Sequence, residues 1–254
     1  MIGVSCPGFC AAEPEKIIEK VEKDFVLWEI FSEYKHDVTK FSPRFNDIRG
    51  SYNMEYSIHA PICDINIAAV NDKVREAALD ETIRTMEHAN LMGVKTVTIH
   101  PGLYSTSLDN VKEESIRHSR DSLKIIEKWA KEYGVTAAIE NMPSFRIMMG
   151  QTPEELLALL DGTDLSICFD IGHANTMGKI DECIELFGDR IVNVHIHDNL
   201  GKNDDHMTIG DGIIDFTRVL SKLKQYKGNY VIESRNIESA IVSKKRLEAL
   251  MKSN

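Results

Sequence analysis

The sequence predicts an α/β fold, a closed (β/α)8 TIM barrel in which residues 1–254 form a single domain. Short apolar, β-branched runs alternate with longer helical stretches along the chain, as expected when helices connect parallel strands. The chain has 254 residues, close to the usual length of one such barrel, and no Pro-rich or Ser/Gly-rich run divides it. No G-x-G-x-x-G motif follows the first strand, which argues against an open dinucleotide-binding sheet.

Eight segments have the composition of buried parallel strands, because they are short, apolar and rich in β-branched residues. In chain order they are residues 2–5, 25–31, 56–59, 96–100, 136–140, 166–170, 192–197 and 230–233. Eight strands, each followed by a connection of helical or loop character, are the number that closes a TIM barrel.

Helical signals fill many of the connections. An apolar stripe at helical spacing runs through residues 71–92 and ends at Gly93, and a second helix, about 110–133, ends at Gly134. Thr152, Pro153 and Glu155 predict a capping box with proline in the first turn of the next helix. The remaining predicted helices cover residues 179–187, 216–225 and 237–251.

The charge and cysteine content narrow the class of protein. A formal net charge of −10 opposes binding to nucleic acid unless a local basic groove or bound cations offset it, and no extended basic cluster is present. Five cysteines without a C-x-x-C pair indicate a reducing compartment. No apolar run approaches the roughly 18 residues of a membrane span. We therefore expect a cytoplasmic protein without membrane association, whose oligomeric state stays open.

Polar residues collect where the predicted strands end. Six of the nine histidines lie at or just after strand ends, namely His59, His100, His173, His195, His197 and His206. Glu140, Asp170 and Glu233 end three further apolar runs. The active sites of such barrels lie at these carboxyl ends, where converging carboxylates repel one another unless they are protonated or neutralised by a cation. Mixed oxygen and nitrogen ligands suit Mg²⁺, Mn²⁺, Co²⁺, Fe²⁺ or Zn²⁺.

Individual residues leave alternatives open. A single histidine at a strand end is often structural, so His59 and His100 are equally consistent with a ligand and a hydrogen-bonded rim residue. His197 shares the face of His195 and is interpreted as orienting Asp198 or filling the rim rather than as a ligand. His88 and His118 are interpreted as helix-surface residues and His36 as a loop residue.

The glycines of residues 204–212 are attributed to turn geometry, since Asp211 beside them disfavours a phosphate loop. Asp204 and His206 in the same segment are candidate metal ligands or substrate contacts.

Five motifs resemble those of the xylose isomerase-like TIM-barrel superfamily, which includes sugar phosphate isomerases and epimerases as well as endonuclease IV. They span nearly the whole chain, at residues 99–102 (Ile-His-Pro-Gly), 139–143 (Ile-Glu-Asn-Met-Pro), 169–175 (Phe-Asp-Ile-Gly-His-Ala-Asn), 194–199 (Val-His-Ile-His-Asp-Asn) and 206–212 (His-Met-Thr-Ile-Gly-Asp-Gly). Together they are specific for the superfamily and weakly informative about the substrate.

Resemblance to the sugar enzymes implies one Mn²⁺, Co²⁺ or Mg²⁺ ion held by Glu140, Asp170, His195 and Glu233. It implies a keto sugar whose enediolate the metal stabilises, with Glu140 and Glu233 exchanging protons on opposite faces. His173 matches the histidine that contacts the substrate. The leading hypothesis is therefore a metal-dependent isomerase or epimerase of a small-molecule sugar or sugar phosphate.

The substrate contacts are less well defined. The sugar enzymes place a substrate-clamping arginine after the strand-seven histidine, and this chain has none between Arg190 and Arg218. Arg146 and Arg235 fall on loops at the active rim and are candidate substitutes, with surface salt bridging as the alternative. His59, His100 and His206 are further candidate substrate contacts.

The alternative hypothesis is a zinc-dependent AP endonuclease resembling endonuclease IV, which would cleave a phosphodiester 5′ to an abasic site. Its nine ligands for three zinc ions can be matched by His59, His100, Glu140, Asp170, His173, His195, Asp204, His206 and Glu233. However, Ala60-Pro61-Ile62 after His59 lacks the nuclease's aromatic residue, and the loop at 31–35 lacks its DNA-penetrating arginine. A catalytically silent metal- or ligand-binding barrel is the third possibility.

Overall fold

The structure, a computed structural model, describes residues 1–105 and 111–253. Eight parallel strands follow one another in chain order, and the last pairs with the first to close the barrel. The strands are β1 (Ile2–Ser5), β2 (Leu27–Phe31), β3 (Glu55–His59), β4 (Thr96–Ile99), β5 (Thr136–Glu140), β6 (Ser166–Asp170), β7 (Ile191–Ile196) and β8 (Asn229–Glu233). The predicted α/β TIM barrel is confirmed.

The predicted strand positions are correct to within two residues at their ends. Strand β2 begins at Leu27 rather than at residue 25, because the backbone N–H of Phe25 donates to Val21 O at 2.9 Å and so completes the preceding helix instead of the sheet. Strands β4 and β7 end one residue early. His100 and His197 therefore lie just beyond the sheet, in the loops at its carboxyl edge.

The helices surround the barrel and are interrupted by short 3₁₀ turns. They are α1 (Pro14–Val21), α2 (Val38–Arg49), α3 (Asp72–Leu91), α4 (Lys112–Tyr133), α5 (Pro153–Leu159), α6 (Ile171–Thr176), α7 (Ile180–Phe187), α8 (Phe216–Lys222) and α9 (Ile237–Ser253). The predicted start of α4 at Asn110 falls outside the described residues. None of the helices in the described ranges is both long and apolar enough to span a bilayer.

Two helix predictions needed correction. Thr152 caps α5 as predicted, since its hydroxyl accepts from Glu155 N at 3.2 Å. The Glu155 carboxylate, however, accepts from Gln151 N at 3.0 Å, so the returning bond of the capping box falls one residue earlier than expected. Helix α8 ends at Lys222 rather than at residue 225, because Tyr226 N turns back to Leu223 O at 2.9 Å.

Two histidines that were assigned no functional role are buried. His118 was interpreted as a helix-surface residue, and that interpretation was wrong. His118 on α4 lies against α3, with its Nδ1 3.2 Å from Ala69 O and 3.0 Å from the Arg75 guanidinium. His36, in a 3₁₀ turn at Tyr34–His36, is fully buried and packs edge-on against Trp28 with ring centroids 5.4 Å apart. The sequence around these two histidines does not indicate that they are buried, because only tertiary packing buries them.

The burial of His36 predicts a pH-dependent stability. Burial lowers its pKa from 6.5 to about 4, so between these pH values the unfolded chain binds a proton that the folded chain does not. The free energy of unfolding therefore falls as pH decreases through this window, by about 2 kcal/mol between pH 7 and pH 5 from this group alone. Replacing His36 with Leu should remove this contribution to the decrease in the free energy of unfolding on acidification. Urea unfolding at pH 7 and at pH 5 measures the difference.

The matched control is His88→Leu, at a half-buried histidine that shares a hydrogen bond with Ser42. If H36L and H88L lose stability equally on acidification, His36 does not contribute in this way.

Candidate metal centre

Four predicted ligands converge at the carboxyl end of the barrel. Glu140, Asp170 and Glu233 are the last residues of β5, β6 and β8, and His195 lies opposite Asp170 in the register of β6 and β7. All four are buried, and each offers a ligand atom within 4.8 Å of the others. We call these four residues the quartet.

The quartet has the geometry of a cation site. Nδ1 of His195 lies 2.9 Å from Glu140 Oε1, 3.2 Å from Glu233 Oε1 and 3.9 Å from Asp170 Oδ2. Asp170 Oδ2 is buried and accepts no hydrogen bond within the described residues. A buried carboxylate oxygen without a partner is costly, and a divalent ion would satisfy it. Three carboxylates and one imidazole therefore fit a divalent metal.

Glu140 also belongs to a second group. Its other oxygen, Oε2, lies 3.0 Å from Nε2 of His100 and 3.3 Å from Nε2 of His59. Burial opposes ionisation of Glu140, but the imidazoles of His195, His100 and His59 hold its pKa well below the usual value. Glu140 is thus an ionised carboxylate that connects the quartet to His59 and His100.

A third group lies on the side of β6 and β7. Asp204 is its centre, with Oδ2 3.3 Å from His173 Nε2 and 3.0 Å from His206 Nε2, and Oδ1 3.2 Å from His197 Nε2. The four side chains could hold a metal ion. Nδ1 of His197 lies 3.4 Å from the backbone oxygen of Asp198, whereas its Nε2 faces Asp204 and also lies 3.4 Å from Asp170 Oδ1. This placement favours the ligand role that was ranked below a rim role in the sequence-based interpretation.

Asp198 holds the loop that carries Asp204 and His206 of this third group. Its buried carboxylate accepts hydrogen bonds from the backbone N–H groups of Asn199, Gly210 and Gly212 at 2.9 Å and of Ile214 at 3.2 Å. Gly212 leaves no room for a Cβ atom, because the Asp198 carboxylate and Asn199 O occupy that space. These contacts support the structural interpretation of the glycines.

Glu29 is a further buried residue beside His195, and it was not predicted from the sequence. This residue is fully buried in β2, where Ser57 Oγ and Asn193 Nδ2 each donate to its Oε2 at 2.9 Å. Its Oε1 lies 2.8 Å from Nε2 of His195. Although burial opposes ionisation, the charge of His195 lowers the pKa of Glu29. An acidic residue in the middle of the apolar run at 27–31 was the available signal.

Cys168 was also missed. It lies in β6, where its sulfur is grouped with Glu140 and His195, but burial raises the pKa of its thiol to about 12. The thiol is therefore neutral, and it is a poor ligand without prior deprotonation.

The arginines remain at the rim. Arg146 and Arg235 are both exposed, and the Arg235 guanidinium donates to Asp205 O at 2.8 Å beside His206. Arg235 and His206 line a cavity of about 390 Å³. A smaller cavity of about 90 Å³ beside His100 is lined mainly by aliphatic side chains, including Ile62 and Leu103. The fold and the site thus define a parallel barrel whose mouth holds clustered residues that could bind a metal ion.

Comparison with known proteins defines the family. Residues 14–252 match the family model for xylose isomerase-like TIM barrels, and the chain belongs to that family. It is 37% identical over 256 residues to the uncharacterized protein MJ1311 of Methanocaldococcus jannaschii, covering 97% of this chain and 87% of that protein. A solved structure of a D-tagatose 3-epimerase-like protein is similar with a TM-score of 0.93 and 35% identity, over 99% of this chain and 97% of that one.

A second type of relative is more distant. The probable endonuclease 4 of Acholeplasma laidlawii is 29% identical over 181 residues, which are 64% of this chain and 60% of that protein. The family therefore includes relatives named for sugar chemistry and for DNA chemistry.

Proposed function

We propose that the protein is a divalent-metal-dependent isomerase or epimerase of a sugar or sugar phosphate. The observation that carries the proposal is that Glu140 and Glu233 both face Nδ1 of His195, at 2.9 and 3.2 Å, from separate strands of the barrel. Two carboxylates at one buried cation site are the groups that a proton transfer next to a carbonyl needs. The 35% identity to a D-tagatose 3-epimerase-like protein supports the same chemistry.

The two carboxylates differ in their environments. Burial raises the pKa of Glu233, whereas imidazoles outweigh burial at Glu140 and lower its pKa. One of the two carboxylates would remove the proton, and the other would return one on the opposite face of the substrate. A bound divalent ion would polarise the substrate carbonyl. Arg235, His206 and His100 line the cavities at the mouth and are the proposed substrate contacts, and exposed Arg146 is a further one.

Isotope exchange tests this proposal directly. With Mn²⁺ or Co²⁺ present, one member of a panel of keto sugars and their phosphates in deuterated water should gain deuterium beside its carbonyl. Glu140→Gln and Glu233→Gln should each abolish net epimerisation, because a two-base mechanism needs both carboxylates, while a surviving carboxylate can still exchange on its own face. Product analysis by NMR measures both outcomes.

A second candidate function is favoured by one specific observation. His59 and His100 flank Glu140 on one side of the quartet, and the Asp204 group lies on the other, so three neighbouring groups of side chains could each hold a metal ion. This arrangement suits a zinc-dependent phosphodiesterase of the endonuclease IV type. Against it stand the net charge of −10 and the missing arginine in the loop at 31–35.

Metal stoichiometry separates the two candidates. Elemental analysis should find one tightly bound ion per chain if the first function is correct. Three zinc ions, together with metal-dependent nicking of a duplex that carries one abasic analogue and no isotope exchange with any sugar, would establish the second function instead. The nicking assay is done at low salt so that weak electrostatic binding is not missed.

A further inference from the structure

A layer of buried polar side chains lies directly beneath the quartet. Glu29, Ser57, Thr98 and Asn193 come from β2, β3, β4 and β7, and each is at most 1% exposed. Glu29 and Ser57 are paired in the register of β2 and β3, and Asn193 lies two residues before His195 on the same face of β7. An acidic residue at this depth needs a compensating interaction, since barrel interiors are otherwise apolar.

The contacts of Glu29 divide between its two oxygens. Oε2 accepts hydrogen bonds from Ser57 Oγ and Asn193 Nδ2. Oε1 accepts no well-aligned hydrogen bond within the described residues, but it faces Nε2 of His195 at 2.8 Å. The imidazole therefore lies between carboxylates, with Nε2 toward Glu29 and Nδ1 toward Glu140 and Glu233.

Nε2 of His195 also lies 3.2 Å from Asn193 Nδ2, but that amide already donates to Glu29 Oε2 at 2.9 Å. Both ring nitrogens face carboxylates, and only Nδ1 points into the quartet, so Nε2 is the nitrogen that can keep its hydrogen when a cation binds there. An ionised carboxylate only accepts hydrogen bonds, so the nitrogen facing Glu29 is stabilised when it carries the hydrogen. The lone pair of a neutral imidazole then resides on Nδ1, the atom that points into the quartet. Histidine ligands are commonly oriented by such a carboxylate, and loss of the partner weakens metal binding.

We infer that Glu29 is a positioning residue that holds His195 with its hydrogen on Nε2 and thereby presents Nδ1 as the ligand of the quartet. The inference rests on the proposed metal quartet but not on the reaction that the protein catalyses. A purely structural Glu29 would only fill the polar layer, and its replacement would then affect stability without changing the tautomer of His195.

Glu29→Gln distinguishes a positioning role from a purely structural one, because the substitution preserves the size of the side chain. The amide oxygen of Gln can keep the hydrogen bonds from Ser57 and Asn193, which leaves its NH₂ group facing Nε2 of His195. The Gln NH₂ group and the N–H at Nε2 of His195 are then two donors that face each other, unless the imidazole hydrogen moves to Nδ1. A hydrogen on Nδ1 prevents that atom from binding the metal. The affinity for Zn²⁺, measured by competition with a chromophoric chelator, should fall by about 10- to 100-fold.

The control variant is Ser57→Ala, which removes a donor to Glu29 without touching His195. It should keep zinc affinity close to that of the unmodified protein, with thermal melts confirming that both variants fold. A second measurement does not depend on the folding of E29Q. In the zinc-loaded unmodified protein, selectively ¹⁵N-labelled histidine should show the His195 hydrogen on Nε2, protected from exchange and shifted downfield.

The outcomes are distinct. Equal zinc affinity of E29Q and the unmodified protein, or zinc bound through Nε2 of His195, would overturn the role of Glu29 while leaving the quartet intact. Failure of the unmodified protein to bind zinc would overturn the quartet and this role together. Zinc binding without any sugar turnover would count against the proposed reaction only and would leave the role of Glu29 standing.

Discussion

Glu140→Gln is expected to cause the largest functional loss of any single substitution in the site. Glu140 is the one residue shared by the quartet and by the group with His59 and His100, so its neutralisation removes an anionic ligand from both. Divalent-metal affinity should fall by more than about 100-fold, since even substitutions that act on a ligand indirectly cost 10- to 100-fold. Turnover of the substrate found by isotope exchange should fall by about 10³-fold.

Metal content after dialysis and thermal stability with and without chelator measure this effect. A metal that binds only the folded state at 100 times its Kd stabilises it by about 2.7 kcal/mol, so chelation should lower the Tm of the unmodified protein but hardly that of E140Q. Glu154→Gln, at an exposed glutamate at the start of α5, is the matched control and should behave as unmodified. Unchanged metal content in the double variant E140Q/E233Q would show that the quartet is wrongly assigned.

Much of the barrel could be predicted from the sequence because its signals are local. A parallel strand covered by helices is apolar throughout, so each of the eight runs is recognisable on its own. The carboxyl ends of parallel strands must meet at one edge, and Glu140, Asp170, His195 and Glu233 could therefore be placed together without coordinates. Strand ends were less certain, because the hydrogen bond of Phe25 to Val21 depends on the geometry of the preceding turn.

What could not be predicted depends on contacts between distant segments. Glu29 is separated from its donor Asn193 by 164 residues, and its place in an apolar run is a local signal that does not indicate what it contacts. His36 and His118 have polar neighbours in sequence and are buried only by packing. The position of His197 in the Asp204 group depends on a loop that returns from residue 198 to residue 207, where an antiparallel bridge joins Asp198 and Met207.

Asp198→Asn is expected to destabilise this loop strongly although it preserves the size of the side chain. One carboxylate oxygen accepts from Asn199 N and Ile214 N and the other from Gly210 N and Gly212 N. Whichever way the Asn amide turns, its NH₂ group faces two backbone donors that then lack an acceptor. Leaving two such groups unsatisfied should cost about 3 kcal/mol. The Tm should fall by on the order of 10 °C.

The functional consequence should be selective, because the loop carries Asp204 and His206 while the quartet is built on the strands. D198N should therefore lose turnover and show faster amide hydrogen exchange over residues 199–214, yet retain the tightly bound metal of the quartet. Asp211→Asn on the same loop is the control, since Asp211 makes an exposed ion pair with Arg246 that should contribute less than about 1 kcal/mol. Equal melting temperatures for D198N and D211N, or loss of the quartet metal in D198N, would show that Asp198 does not act through this loop alone.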